Sequence, residues 1–311
     1  MNADGIIAAM LRLLRCLTAA LLSAQQMADP DFVPKVARPA YVTEHPQVLL
    51  DEAHFNFHTA AGRYKPFADL LRADGYEVVP NTEKFSAESL KGKKILVISN
   101  ALGAQAMGSA AASNPAFTPE ECDAVRDWVR AGGVLLLIAD HAPMGAANQI
   151  LASRFGVDMS KGYTGDPNHH VDSTSFLLFT SENKLLANHP ITRGRDSSER
   201  LSKILTFTGQ SLKGPAESAP ILMLSDAAVD VTSPGQPNAT EASAAGRNQG
   251  LAMPFGKGRV VVMGEAGFMS AQIVRRPERP VLYMGMNRSG YDNQQMVLNV
   301  LHWLSGLLPL K

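Results

Sequence analysis

Cysteine is scarce in this 311-residue chain, which has only Cys16 and Cys122. A disulfide between them is not expected, because one lies in an N-terminal leader and the other on the apolar face of a helix. An excess of charge is absent as well: Lys plus Arg number 29, Asp plus Glu number 29, and the net charge is zero. That balance leaves no electrostatic footprint for nucleic acid or an anionic membrane. No apolar run is long enough to span a bilayer, and no internal repeat is visible. The Gly-x-Ser-x-Gly elbow, the His-Glu-x-x-His helix and the phosphate loop are also missing. What is present is a globular composition, 45% apolar and 19% charged, sufficient for a large core.

The N-terminus reads as a leader. Arg12 and Arg15 precede the apolar run Cys16-Leu17-Thr18-Ala19-Ala20-Leu21-Leu22, and Ser23, Ala24 and Gln25 follow. A positive start, an apolar middle and a small-residue end describe a secretory signal peptide. Residues 1–28 are assigned to it, with cleavage near Ala24 or Ala28, and the mature chain is expected in the periplasm or outside the cell. Removal of the leader leaves Cys122 alone. The proline-spotted residues 29–46 read as a linker, and residues 47–308 as a single domain.

Within that domain the first half alternates. Buried strands are expected at Gln47–Leu50, Tyr76–Val79, Lys94–Ser99 and Val134–Ile138. Helices are expected at Tyr64–Asp74, Ser86–Leu90, from Thr118 onward, and from about Gly145 to Arg154. Thr118-Pro119-Glu120-Glu121 is a capping box with proline at the first helical position. Cys122, Val125 and Val129 then share one helical face, which makes Cys122 a core residue. Such alternation predicts a doubly wound, mostly parallel sheet with helices on both faces. The second half is irregular and β-containing. Ser175–Thr180, Ile204–Thr208 and Ile221–Leu224 suit strands, and Leu251–Pro254 with Gly258–Met263 a hairpin. A closing helix, capped by Asp292, has Met296, Val297, Val300, Leu301 and Leu304 as its apolar face.

Three strand exits carry acids and imidazoles. Asp51, Glu52, His54, Asn56 and His58 follow the first strand. Asp140 and His141 follow the fourth, and Glu265 follows Val260–Met263. In open α/β sheets ligands bind outside the carboxyl ends of the strands, so these exits predict one site. A carboxylate beside an imidazole can orient a general base or supply metal ligands. Asp140, His141 and Glu265 are the candidate catalytic groups, with Asn100 as a donor to an oxyanion or a hydroxyl. Asp51, His54, Asp140 and His141 are the candidate ligands of a divalent metal cation. Local capping by Asp and Asn is the competing explanation for each. His169-His170 lies in a polar loop, where at most one imidazole suits a site.

The stretch Val134–Asp158, in which a strand runs through Ala139-Asp140-His141-Ala142-Pro143-Met144-Gly145 into a helix, resembles class I glutamine-amidotransferase-like domains. Leu50-Asp51-Glu52-Ala53-His54, His189-Pro190-Ile191-Thr192-Arg193-Gly194, Gly258–Phe268 and Asp292–Leu304 are similar to a secreted branch of that superfamily related to trehalose-utilisation-type proteins. The resemblance covers roughly residues 47–306 and implies a flavodoxin-like, doubly wound sheet. It also implies a nucleophilic cysteine after the fourth strand, where this chain has Ala139-Asp140-His141. Thiolate chemistry on glutamine is therefore not expected. The expected function is a secreted hydrolase of a small ester, lactone, amide or glycoside, using the Asp/His/Glu cluster with a divalent metal as a possible aid. The alternative is a non-catalytic domain that binds carbohydrate or a cell-envelope partner. The expected partner is a small-molecule substrate, with no nucleic acid and no membrane span.

Overall fold

A computed structural model describes residues 25–276 and 278–311. Most of the leader, residues 1–24, lies outside them. Nine strands form the central sheet: β1 (Gln47–Asp51), β2 (Glu77–Asn81), β3 (Ile95–Ser99), β4 (Val134–Ile138), β5 (Asp158–Met159), β6 (Leu212–Lys213), β7 (Ala219–Met223), β8 (Asn248–Phe255) and β9 (Gly258–Met263). Their order is β2-β1-β3-β4-β9-β8-β6-β5, with β7 also on β8. The first five in that order are mutually parallel, and the remainder attach antiparallel.

The parallel strands are continuous apolar runs because both of their faces are covered. Side chains alternate between faces at a period of two. Val48, Leu50, Val97, Leu136 and Val261 join one core with helix α1 (Lys65–Ala73) and the C-terminal helix, Asn293–Leu304. Leu49, Leu96, Leu137, Val260 and Val262 join the other, with α2 (Pro119–Arg130) and α3 (Met144–Ala152). Cys122 is fully buried in that second core, and burial pushes its thiol up to about 12. The Thr118–Glu121 capping box forms as expected.

Three local expectations are corrected. Ser86–Leu90 makes a single turn closed by the Leu90 N–H on the Ser86 carbonyl, not a helix. Asp292 does not cap the last helix through its side chain. Its Oδ2 instead accepts the N–H groups of Ser202 and Lys203 and the Ser202 hydroxyl. The strand expected through Thr208 ends at Leu205. Residues 29–46 form no helix or strand, yet they are tied down: Asp74 accepts the backbone N–H groups of Ala40 and Tyr41. Gln25–Ala28, which falls within the expected leader, is a strand paired antiparallel with Ala271–Arg275.

Candidate active site

The parallel register fixes the site. β3, β4 and β9 are adjacent and end level, with Ser99 opposite Ile138 and Ile138 opposite Met263. Asn100, Asp140 and Glu265 follow those ends by one or two residues and reach the same edge. Together with His141 they line one cavity of about 230 Å³. The loop after β1 adds Phe57 and His58, and the irregular second half closes the cavity with Phe207, Thr208 and Met284.

Local backbone chemistry holds each group. Asn100 adopts φ +49°, a left-handed conformation that asparagine tolerates better than most residues. Its Oδ1 accepts the Asp140 N–H at 2.9 Å. Asp140 Oδ1 in turn accepts the His141 N–H at 2.8 Å. The His141 Nδ1 lies 2.7 Å from the Ala142 carbonyl, which can only accept, so Nδ1 carries the proton and Nε2 keeps its lone pair. The ring stacks on Tyr163 with centroids 4.4 Å apart. Gln210 clamps the turn from below, donating through Nε2 to the carbonyls of Ala139 and Asp140, both at 2.9 Å.

Glu265 turns back on its own loop and accepts the N–H groups of Gly267 (2.5 Å) and Phe268 (2.9 Å). The adjoining segment passes so close that a Cβ on Gly209 would lie 2.7 Å from the Glu265 Cβ and 2.4 Å from the Gly264 carbonyl oxygen. Only glycine fits there. Thr208, its neighbour, is forced to φ +66°, strained for a β-branched residue, and its hydroxyl lies 2.9 Å from that of Ser175.

The electrostatics follow from burial. Loss of water pushes the Asp140 carboxyl up to about 7, against hydrogen bonds from the His141 N–H and Asn100. Burial, then repulsion from Asp140, pushes Glu265 up to about 8. The two titrate as a pair that retains a proton near neutrality. Burial moves His141 the other way, so its ring is neutral there. Burial likewise pushes His58 down to about 3, with Arg63 adding to the shift.

Asp51 and His54 are built into something else. His54 Nδ1 lies 2.8 Å from Asp51 Oδ2, and Nε2 lies 2.9 Å from Glu121 Oε1. The ring is wholly buried between Phe85 and Phe117. Both ring nitrogens are thus occupied by carboxylates. Neither residue lines the cavity of Asp140 and His141. Among the described residues no three His, Cys, Asp or Glu side chains converge as metal ligands. A cation on Asp140 and His141 would need further ligands from water or substrate. Glu52 and Asn56 serve the loop: Glu52 accepts the Ala60 N–H, and Asn56 bonds Asp51 and the His54 N–H. His169 and His170 line a different cavity, beside Glu182 and Lys203.

Gln26, Phe207, Thr208, Gln210 and Gln272 carry no motif that would have marked them in the sequence. His58 had one signal, its place in the polar run after β1.

No family model matches the chain, and no curated protein does. The solved structures give the fold. The mmIFT52 N-terminal domain superimposes with a TM-score of 0.58 at 13% identity, over 83% of this chain and 97% of that one. ThuA-like proteins are also among the matches. One from Bacteroides uniformis is 16% identical, with a TM-score of 0.47 over 86% of this chain and 94% of its own. One from Parabacteroides merdae is 14% identical, with a TM-score of 0.43 over 84% and 90%.

Proposed function

We propose that the chain is an exported hydrolase of a small polar ester, lactone, amide or glycoside, working by general acid–base catalysis. It would be a doubly wound fold of the amidotransferase-like kind whose strand-end turn has exchanged a thiol for an acid and an imidazole. The observation that carries this reading is the juxtaposition of Asp140, Glu265 and His141 on one small cavity, with both carboxyls raised toward neutrality and the imidazole neutral. Buried acids with displaced values are the form that proton-transfer groups take.

The roles follow from unused valences. His141 Nε2 takes a proton from water, and the water oxygen bonds to the electrophilic carbon. The bond to the leaving group breaks, and the proton that the Asp140–Glu265 pair retains goes to that group. Asp140 Oδ1 is already an acceptor of the His141 N–H. Glu265, with its oxygens on backbone N–H groups, is raised by burial and then by repulsion from Asp140, so the pair keeps a proton near neutrality. A divalent cation bound at Asp140 and His141 would polarise the same bond.

Purified protein assayed on a panel of small esters, lactones, amides and glycosides, with and without EDTA, tests this. Turnover that falls about 10²–10⁴-fold in Asp140→Asn supports it. No turnover under any metal condition sinks it. One observation favours a binding role instead: the cavity is lined by amides and aromatic rings, including Gln26, Gln272, Phe57 and Phe207, and among the described residues by no serine or cysteine. Such a lining suits a carbohydrate. Ligand affinity without turnover would select that reading.

The leader is part of the proposal. Gln26 Nε2 donates to Gln272 Oε1 at 2.7 Å, and both residues line the cavity. Cleavage after Ala24 keeps that pair and its strand, whereas cleavage after Ala28 removes them. We place the mature N-terminus at Gln25.

A further inference from the structure

We infer that the cavity of the proposed site takes a small neutral ligand carrying several hydroxyl groups, and that His58 is the specificity-determining residue that receives one of them on Nε2. This deepens the proposed function and rests on its site as the place of binding, not on its turnover.

His58 is a wall of the cavity, yet only 3% of its surface is exposed. Its ring is stacked on Tyr64, with centroids 4.2 Å apart and planes 15° from parallel. Nδ1 lies 2.9 Å from the Ser99 hydroxyl oxygen. The proton on that contact follows from its neighbours. Tyr64 donates its hydroxyl to the Ala266 carbonyl at 2.9 Å, and a carbonyl can only accept. The Tyr64 oxygen is left to accept, and the Ser99 side chain hydrogen-bonds it. With its one proton spent on Tyr64, Ser99 accepts from His58, so Nδ1 carries the hydrogen and Nε2 a lone pair.

That lone pair has no partner among the described residues and is not sealed from solvent, and the space on which His58 opens is the cavity. The parallel register fixes it there. Ser99 ends β3 and Ala266 follows β9, the two strands that flank β4. Burial and Arg63 hold the ring neutral down to about 3, so it remains an acceptor throughout the range in which the acid pair titrates.

The ligand's chemistry follows from what lines the cavity. His141 presents a second bare Nε2, and the acid pair, retaining one proton, bears one negative charge near neutrality. Among the described residues no Lys or Arg lines the space. An anion would meet that charge with no cation to offset it, in surroundings poor in water. A wholly apolar ligand would leave the imidazole acceptors unpaired. An ammonium group would pair with the carboxylate and drive off the proton that the proposed chemistry uses. Hydroxyl groups donate to both imidazoles without adding charge. Phe57 and Phe207 offer apolar faces to the C–H side of such a ligand, and a volume of about 230 Å³ limits it to about one ring.

The test is titration of the intact, nitrogen-15-labelled protein with two neutral polyols, myo-inositol and D-glucose, and with D-glucuronate, D-glucosamine and cyclohexanol. Binding is read by calorimetry and by the imidazole nitrogen resonances. Before addition, His58 should show a protonated Nδ1 and a bare Nε2. At least one polyol should bind and shift that Nε2 resonance, and the other three probes should bind about tenfold more weakly or not at all. His58→Phe keeps a ring against Tyr64 and should lose about tenfold in polyol affinity, with thermal melts confirming that it folds. Should it not fold, the resonances of the parent decide alone. A proton on Nε2, an unmoved Nε2 resonance on binding, no binding of either polyol, tighter binding of any of the other three probes, or unchanged affinity in a folded His58→Phe would each overturn the inference. None of these readouts involves turnover, so an inactive protein would sink the hydrolase and leave this result standing.

Discussion

The side chain of Asn100, at the end of one parallel strand, accepts the backbone N–H of Asp140 at the end of the next, at 2.9 Å. This bond ties two strand exits together and sets the direction in which the Asp140–His141 turn leaves the sheet. Asn100 reaches it only from a left-handed backbone at φ +49°. Two substitutions separate these contributions. Asn100→Gly keeps the backbone conformation and loses the amide, costing about 1–2 kcal/mol. Asn100→Ala loses the amide and adds strain of about 1 kcal/mol. Urea denaturation should rank alanine below glycine, and equal losses would show that the conformation bears no strain.

The acid pair makes stability depend on pH. Both carboxyls are raised in the folded state by burial. The native protein therefore holds more protons than the unfolded chain between the ordinary carboxylate range and about pH 8. Stability is fullest below about pH 4 as far as these groups are concerned, and falls as pH rises through their folded values. Asp140→Asn should be more stable than the parent by roughly 1–2 kcal/mol at about pH 8.5, with the gain shrinking toward about pH 5. A gain that is independent of pH would contradict the shift.

Thr208 bears a related cost. At φ +66° it is strained, and it lines the cavity. Thr208→Gly relieves about 1–3 kcal/mol of strain and gives back about 0.5–1 kcal/mol in chain entropy. A net gain near 1 kcal/mol in chemical denaturation is expected, together with weaker ligand binding. A loss of stability would assign Thr208 to packing alone.

The Asp51–His54–Glu121 chain should behave as structure. Replacing His54 by alanine leaves two buried carboxylates facing a void, a loss of about 3–5 kcal/mol. Glutamine at the same position keeps a donor and should cost less. Metal content of the purified protein, measured in His54→Gln and the parent, should be the same, because this imidazole has no nitrogen left for a cation. A lower metal content in the variant would return His54 to the metal site.

These contrasts show what was legible in the sequence. The parallel strands announce themselves because a strand covered on both faces must be apolar throughout, and Val134–Ile138 and Val260–Met263 are so. Their exits could be read too, because a parallel register brings consecutive strand ends to one edge. That logic gathered Asn100, Asp140, His141 and Glu265. It could not say which way a side chain turns after leaving a strand. His54 and His58 are four residues apart in one loop, yet one ring enters the core between Phe85 and Phe117 and the other reaches the cavity. The irregular half contributes Thr208 and Gln210 through long-range contacts with no local periodicity. Asp292 shows the same limit, since a helix-capping residue by pattern was claimed by Ser202 and Lys203 of a distant segment.

The central claim is that Asp140 and Glu265 share a proton in the cavity at neutral pH. Carbon-detected NMR titration of the side-chain carboxyls, in the parent and in Asp140→Asn, tests it without knowledge of the substrate. The account predicts two carboxyls titrating near 7 and 8 in the parent. With the repulsion from Asp140 removed, Glu265 should titrate at lower pH in the variant. Both carboxyls titrating near about 4, where solvated acids do, or an unmoved Glu265 in Asp140→Asn, would contradict it.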